Sequence, residues 1–403
     1  MLTKTKKIRV LLYGNIFRDS RSQILAKLLF NSGHHISLVC PDYYWKPRLV
    51  KVFVIDKIIA FFFLIELWTK AAFTDVIYLP PMNNRFIKSA LWVAKVFRKK
   101  LVVEMYISLY DTFVGDGKLL KGKPIKANSS QAKAMLKKDS LALTKSDYII
   151  HTANYELTYW EKILDIKINQ EKVFIAPNCN VSTLVHQRNF KQDGLLKICW
   201  WGTFIPLHGL DNILQAMKIL QGKEIRFACS LFGVDNALFS EYAAKIQVDG
   251  LEDWVFLRKD LRFSDNTLPN YLVDYCDLAL GIFGNTDKAY HAIPNKLIEA
   301  LSMGIPTLSM NSPALKEFFE PEIDLWTCEP SPEAIAESIL TIAKGAAYPV
   351  NWEQTRQKVL DTFSVNRYQK VVSKVLERVT DDLLGREISE LQSSVKIYEQ
   401  KIS

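Results

Sequence analysis

The stretch NKLIEALSMGIPTL, residues 295–308, decides how this sequence is read. Leu297, Ile298, Leu301 and Met303 have the spacing of one buried helix side, and Gly304 with Pro306 ends the helix before an apolar run suited to a buried strand. Pro294 suits a first helical turn. A helix that must pack on a sheet nevertheless begins with Asn295, Lys296 and Glu299. Its first turn offers unpaired N–H groups and the positive end of the dipole. At the carboxyl edge of a parallel sheet such an end receives anions. Lys296 adds a charge suited to a phosphate. Glu299, four residues after Asn295 and on its face, can accept hydrogen bonds from a ribose diol. Together they read as a nucleoside-diphosphate cradle. A capped surface helix is the plainer reading, and these residues alone leave both open.

Outward from that stretch the chain alternates strand-like and helix-like runs. IRVLLYG, HISLVCP, DVIYLP, LVVEMY, DYIIHT and KVFIAP read as strands in residues 1–188, with helices between them. The alternation restarts at 196 with LKICWWGTF, IRFACSLFG, DWVFL and LALGIF. This order predicts an α/β protein of two Rossmann-like, doubly wound parallel-sheet domains, 1–188 and 196–365. The polar, aperiodic residues 186–195 read as the linker. Residues 366–380 read as a helix crossing back to the first domain, and 381–403 as a helical tail. In that tail Leu384, Ile388, Leu391, Val395, Tyr398 and Ile402 are spaced as a short heptad seam. The seam fits self-association, and equally a helix lying on the body.

The 403 residues, nearly half hydrophobic and a quarter charged, are a globular balance large enough to bury two cores without staples. The six cysteines form no C-x-x-C pair and sit mostly in apolar runs, so they read as small buried hydrophobes in a reducing compartment, here the cytoplasm. No secretory leader is read in the first residues, and VFVIDKIIAFFFLIELW is interrupted by Asp56, Lys57 and Glu66. Residues 1–185 carry a net charge of +15 and the remainder −6, within a total of +9. A basic half joined to an acidic half predicts that the first meets something anionic: a membrane's inner face or a lipid-linked acceptor. The basic excess is diffuse and no nucleic-acid module stands out, so no nucleic-acid partner is expected. The aromatic segment from Val52 to Trp68, with Lys51, Lys57 and Lys70, reads as a helix packed on the first sheet or one half sunk in a bilayer surface.

The pattern P-N-K-x-x-E-A-x-x-x-G-x-P at 294–306 resembles the donor-site signature of GT-B glycosyltransferases, particularly the large retaining family four. WWGTFIPLHGLDNIL resembles that family's glycine loop at the opening of the second domain, LGIFGNTDKAYHAIPNK its donor-side loop, and LVVEMYISLYDT the inner edge of its first domain. The resemblance covers most of residues 8–375. It implies two domains facing a central cleft, a C-terminal crossover helix, and transfer of a sugar from a nucleotide-diphosphate donor, UDP- or GDP-linked, to a hydroxyl acceptor. There are departures. Of the family's paired glutamates, the second matches Glu299 and the first falls at His291. The family's phosphate-binding lysine falls at His208, and its arginine after the first glycine falls at Thr203. Where a first-domain histidine is usual, the sequence has Tyr106, Ser108, Tyr110 and Asp111.

The expected donor side is therefore Gly202, Thr203, His208, Lys288, His291, Asn295, Lys296 and Glu299. Gly202 and Gly209 let backbone approach a ligand, and His208 reads as a donor to phosphate or a helix cap. Lys288 and His291 read as phosphate or sugar contacts, or as solvated loop residues. The expected acceptor side is Gly14, Asn15, Tyr106, Ser108 and Asp111, with Asp111 reading as a contact or base for the acceptor hydroxyl, or as a helix cap. Asp19 and Arg21 read as first-turn helix charges. Asp111, His208 and Lys296 are the expected catalytic set, the last two stabilising the departing diphosphate. No D-x-D sequence occurs, so no carboxylate-held metal and no cofactor are expected. A sugar-nucleotide epimerase or hydrolase, and a non-catalytic nucleotide-sugar-binding scaffold, are the competing readings. Synthesis of a cell-surface polysaccharide or glycolipid follows from the resemblance alone.

Overall fold

Runs of β-branched and aromatic residues become two parallel sheets, in a computed structural model that describes residues 7–17, 19–41, 53–120, 122–187, 194–234 and 237–402. The first domain runs β1 (Arg9–Tyr13), α1 (Ser20–Asn31), β2 (His35–Val39), α2 (Phe53–Ala72), β3 (Val76–Leu79), α3 (Ile87–Val96), β4 (Lys100–Glu104), α4 (Ser130–Lys145), β5 (Tyr148–His151), α5 (Asn154–Leu164) and β6 (Val173–Ile175). The second runs β7 (Leu196–Trp201), α6 (Leu210–Gln221), β8 (Phe227–Phe232), α7 (Ala237–Val248), β9 (Val255–Arg258), α8 (Thr267–Tyr275), β10 (Leu278–Leu280), α9 (Asp287–His291), α10 (Asn295–Ser302), β11 (Thr307–Met310), β12 (Trp326–Cys328), α11 (Pro332–Ala343) and α12 (Trp352–Thr362). α13 (Val365–Ile402) closes the chain.

The first sheet has the order β2-β1-β3-β4-β5-β6 and the second β12-β11-β10-β7-β8-β9, with every pairing of neighbouring strands parallel. Each order reverses beside its first strand, between β1 and β3 and between β7 and β10. Ligands of such sheets bind at those points, outside the carboxyl ends of the strands. Both sheets are apolar on both faces, as helix-covered parallel strands must be. Ile198 and Trp200 of β7 pack against α6 and α11, and Cys199 and Trp201 pack against α8 and α10. In α10, Leu297, Ile298 and Leu301 are fully buried, as is Met303 at its C-cap. Pro294 lies one residue before the helix, as its N-cap.

The passage between domains differs from the compositional reading. Cys179 belongs to the first-domain core, whereas Val181 and Leu184 pack on the second. Ser182, His186 and Gln187 donate backbone N–H groups to Ser302, Met303 and Val273 of the second domain. The chain therefore crosses near residue 180, before the polar stretch 186–195, of which residues 188–193 lie outside those described. A polar segment that satisfies its backbone against a neighbour looks like a linker only in composition. The return crossing lies after Phe363, which packs with α10, and before Tyr368, Val372 and Val375 of α13, which pack on the first sheet. α13 is one continuous helix across both expected segments. Leu384 and Ile388 of the seam are exposed, and the side chains of Leu391, Val395, Tyr398 and Ile402 lie outside the described residues.

One buried ion pair ties these crossings together. Arg21, read from sequence as a first-turn helix charge, does lie in the first turn of α1 but is 3% exposed and pairs with Glu104 at the end of β4. Its other guanidinium nitrogens donate to the carbonyls of Pro177 and Ala176 at 2.8 Å. Glu104 also accepts from Tyr78 at 3.0 Å and from Tyr368 of α13 at 2.7 Å. Paired and hydrogen-bonded on this scale, a buried charge is tolerated.

Candidate active site

A cleft of about 390 Å³ opens between the domains, at the carboxyl edge of β7 and the N-terminus of α10. Of the expected residues, Tyr106, Gly202, Thr203, His208, Lys288, Asn295, Lys296 and Glu299 line it. Gly14, Asn15, Ser108, Asp111 and His291 are not among its lining residues.

The centre of the second-domain wall is Lys296. Its ammonium is buried, lies 3.8 Å from the centre of the Trp200 ring, and has no hydrogen-bond partner among the described residues. Burial drives its pKa well below the ordinary lysine value, and nearby Glu299 offsets this only in part. Gly202, with φ of 145°, ends β7 directly beneath it: a Cβ there would lie 3.1 Å from the Lys296 nitrogen and 3.2 Å from His208 Cε1. Gly209, at φ 63°, starts α6 where a Cβ would meet the Phe283 carbonyl at 2.2 Å. These two glycines fold the loop tightly enough to bring His208 beside Lys296.

His208 is buried, and its Nδ1 bonds the Thr203 carbonyl. A carbonyl only accepts, so Nδ1 carries the proton and Nε2 is bare in the neutral ring. Burial, then the neighbouring Lys296 charge, pushes this imidazole well below its usual pKa. His208 thus meets a phosphate as a donor only when Nε2 takes up a proton from solvent, which an arriving anion favours. Glu299 accepts from the Trp201 indole at 2.7 Å through one oxygen. Burial raises its pKa to about 7 against the pull of Trp201 and Lys296.

The expected first-domain residues are engaged elsewhere. Asp111 is fully buried in a short π turn, accepts from the Tyr159 hydroxyl at 3.2 Å, and lies 3.3 Å from the Lys288 ammonium. Burial raises its pKa, and the Lys288 charge opposes that rise. Lys288 also donates to Thr112 at 2.8 Å. Lys288, which also lines the cleft, thus reaches across the domains, as does Thr286, which bonds Asp116 at 3.2 Å. Ser108 points away from the cleft and donates to Asp139 at 2.8 Å. Asp139 also accepts from Asn84 at 2.6 Å, and burial raises its pKa to about 7. His291 stacks on Tyr159 and Tyr155, with centroids 4.1 and 5.1 Å away. Gly14 and Asn15 are clamped by Asn83, which accepts from the Asn15 N–H at 2.8 Å. Asn295 bridges Asn178 at 2.8 Å and the Tyr106 hydroxyl at 3.4 Å. Glu317 accepts from the N–H groups of Asn154 and Tyr155 and so caps α5 from the opposite domain.

Thr152, Glu156, Asn178, Trp201 and Phe263 also line the cleft and were not singled out in the sequence. Glu156 lies 3.2 Å from His151, the last residue of β5, whose Nδ1 bonds the Met105 carbonyl at 2.5 Å. The available signal was position: DYIIHT ends at the carboxyl edge of a parallel strand, where side chains face the crevice.

Residues 196–344 match the family model described as Glycosyl transferases group 1. No curated protein matches the sequence. Among solved structures, sucrose-phosphate synthase from Thermosynechococcus elongatus is similar with a TM-score of 0.66 at 14% identity, over 93% of this chain and 100% of that one. HepE from Anabaena in complex with UDP-glucose is similar with a TM-score of 0.62 at 12% identity, over 94% of this chain and 100% of its own. The apo form of the lipopolysaccharide outer core galactosyltransferase WaaB gives a TM-score of 0.61 at 12% identity, over 92% and 99%. Two Rossmann-like domains facing a cleft, with α13 crossing back, are the GT-B fold, and the family match falls on its second domain.

Proposed function

We propose that this protein is a glycosyltransferase that moves a sugar from a nucleoside-diphosphate sugar to an acceptor hydroxyl. The observation that carries the reading is the buried Lys296 ammonium at the start of α10, unpartnered among the described residues and aimed into the cleft. Charging an amine buried without a hydrogen-bond partner is expensive, and a diphosphate supplies the opposite charge that lets it hold a proton. The α10 dipole adds to it. Glu299 keeps one oxygen for a ribose diol, and His208 takes a proton as the diphosphate arrives. Lys296 and His208 then hold the leaving group's charge, and the closed cleft excludes the water that would hydrolyse the donor. HepE was solved with UDP-glucose and matches over nearly the whole chain, which favours a UDP-linked hexose. Retention of configuration, metal independence, and work on a polysaccharide or glycolipid at the cytoplasmic side of a membrane complete the proposal.

A second reading is favoured by one observation. Asp111 is already paired with Lys288, and His291 with two tyrosines, which suits a nucleotide-sugar-binding scaffold that does no chemistry. Thermal melts with UDP, GDP, ADP and dTDP, followed by sugar conjugates of whichever binds, separate the cases. Ligand at a hundredfold over its Kd adds about 2.7 kcal/mol. A selective shift with turnover supports transfer. A shift with neither transfer nor hydrolysis selects the scaffold, hydrolysis or epimerisation without acceptor selects the other enzymes, and no shift ends the cradle reading.

A further inference from the structure

On the flank of the first domain, away from the donor cleft, two features meet. One is an apolar surface. α2 is hydrophobic nearly all round, a composition expected of a helix covered on every side. Leu67 and Ala71 are indeed buried in the core, yet Phe61 is 61% exposed, Phe62 63% and Ile65 45%. On α3, Lys88, Trp92 and Lys95 form one stripe at i, i+4 and i+7 and are exposed. The Trp92 ring lies 5.0 Å from that of Trp68, which joins the α2 and α3 faces into one surface.

The other feature is a basic pocket of about 630 Å³ at the amino edge of β4 and β5, which α3 also lines. Lys95, Arg98, Lys99, Lys145 and Arg386 contribute to it. Lys100, also in its wall, is matched to Asp382 at 2.7 Å and Asp147 at 3.3 Å; it is the one pocket cation held in an ion pair among the described residues. α13 brings Arg386 to the pocket, where its guanidinium donates to the Arg98 carbonyl at 2.6 Å. Lys70 of α2, by contrast, is tied to Glu66 and to the Leu38 carbonyl, and Lys51 and the Lys57 side chain lie outside the described residues. The charge therefore sits on the α3 edge, not along α2.

We propose that this flank docks on an anionic lipid surface, with phosphate headgroups in the basic pocket and Phe61, Phe62, Ile65 and Trp92 in the headgroup–acyl boundary. A phospholipid presents these two chemistries side by side, in the same juxtaposition as the protein. A second copy packed face to face would set cation against cation. The proposal goes beyond the transfer reading, because it concerns where the protein works and needs no turnover.

The test is co-sedimentation of the full chain with phosphatidylcholine vesicles, with and without phosphatidylglycerol. Partitioning is expected on the anionic vesicles only, with release at high salt. Lys95→Gln with Lys145→Gln, and separately Phe61→Ser with Phe62→Ser, each lower partitioning by roughly tenfold. Glycerol 3-phosphate at the same phosphate concentration does not displace the protein. Absent or salt-insensitive binding, equal binding to phosphatidylcholine, or displacement by the soluble headgroup overturns the proposal. So does a dimer, seen by sedimentation velocity, that Phe61→Ser with Phe62→Ser disperses. The salt titration uses the unaltered chain and holds even if a variant folds poorly.

Discussion

The residues expected on the two sides of the cleft are held in different ways. In the second domain the loop at 202–209 and the start of α10 bring together a buried ammonium without a hydrogen-bond partner, an imidazole with one bare nitrogen, and a carboxyl held above its ordinary range. In the first domain Ser108 and Asp111 are buried behind the cleft: Ser108 donates to Asp139, and Asp111 accepts from Tyr159 through one oxygen and faces the Lys288 charge with the other. Unanswered buried polar groups are rare in native structures and mark places where something else completes the structure. Answered ones hold shape. Under the proposed function, ligand binding falls to the second domain, and the first domain's expected residues fix how the domains meet.

Several substitutions would break or sharpen that contrast. Lys296→Met has the largest expected effect, lowering diphosphate affinity by about 2–4 kcal/mol, read by titration calorimetry. The same change should raise the melting temperature of the ligand-free protein. A lysine whose folded pKa is depressed subtracts stability below its ordinary value, and removing it restores that stability. A Lys296→Met protein that melts lower would mean that the ammonium has a partner already.

Gly202→Ala comes next, because its Cβ fills the space under Lys296 at a positive φ. It should destabilise the fold by about 1–3 kcal/mol and weaken the diphosphate, and an alanine variant that melts and binds like the parent would open the cradle's floor. Glu299→Gln should weaken nucleosides with a ribose diol by about tenfold and spare inorganic pyrophosphate. It should also flatten one pH slope. The free carboxyl binds its proton up to about pH 7 when folded, so it subtracts stability as pH rises from the ordinary glutamate range to about 7.

Diphosphate binding should take up protons at Lys296 and His208, both depressed in the free protein, so affinity falls as pH rises. Calorimetry in buffers of different ionisation heat measures the uptake, and zero uptake would remove His208 from the phosphate. The smallest expected effect is that of Asp111→Asn, which should leave nucleotide affinity within about threefold while slowing transfer through a loosened Lys288 bridge. A large loss of nucleotide binding would erase the distinction between the walls.

The legible part of the molecule was the local part. Strand runs and helix periods announced both sheets, and Asn295, Lys296 and Glu299 lie close enough in sequence that one helical turn fixes their geometry. Loop 202–209 was readable for the same reason. What escaped depends on distant pairing. Lys288 lines the cleft as expected, but its ion pair with Asp111, far back in the chain, has no sequence signal. His291 looks like a displaced catalytic residue until two tyrosines of α5 enclose it. Arg21 has the sequence of a first-turn helix charge, and only β4 and α13 reveal it as buried. Side chains at the ends of different strands, such as Thr152 and Asn178, share no period that a linear reading could detect.

The Glu104 carboxylate has a consequence for how the molecule opens. The outgoing chain is fastened just before it leaves the first domain, by Arg21 on the carbonyls of residues 176 and 177. The returning chain is fastened just after it re-enters, by Tyr368 on the same carboxylate. Both tethers are thus riveted to one post. A rigid-body opening would swing about that post like a door on a single pin, and whatever lies farthest from it travels most.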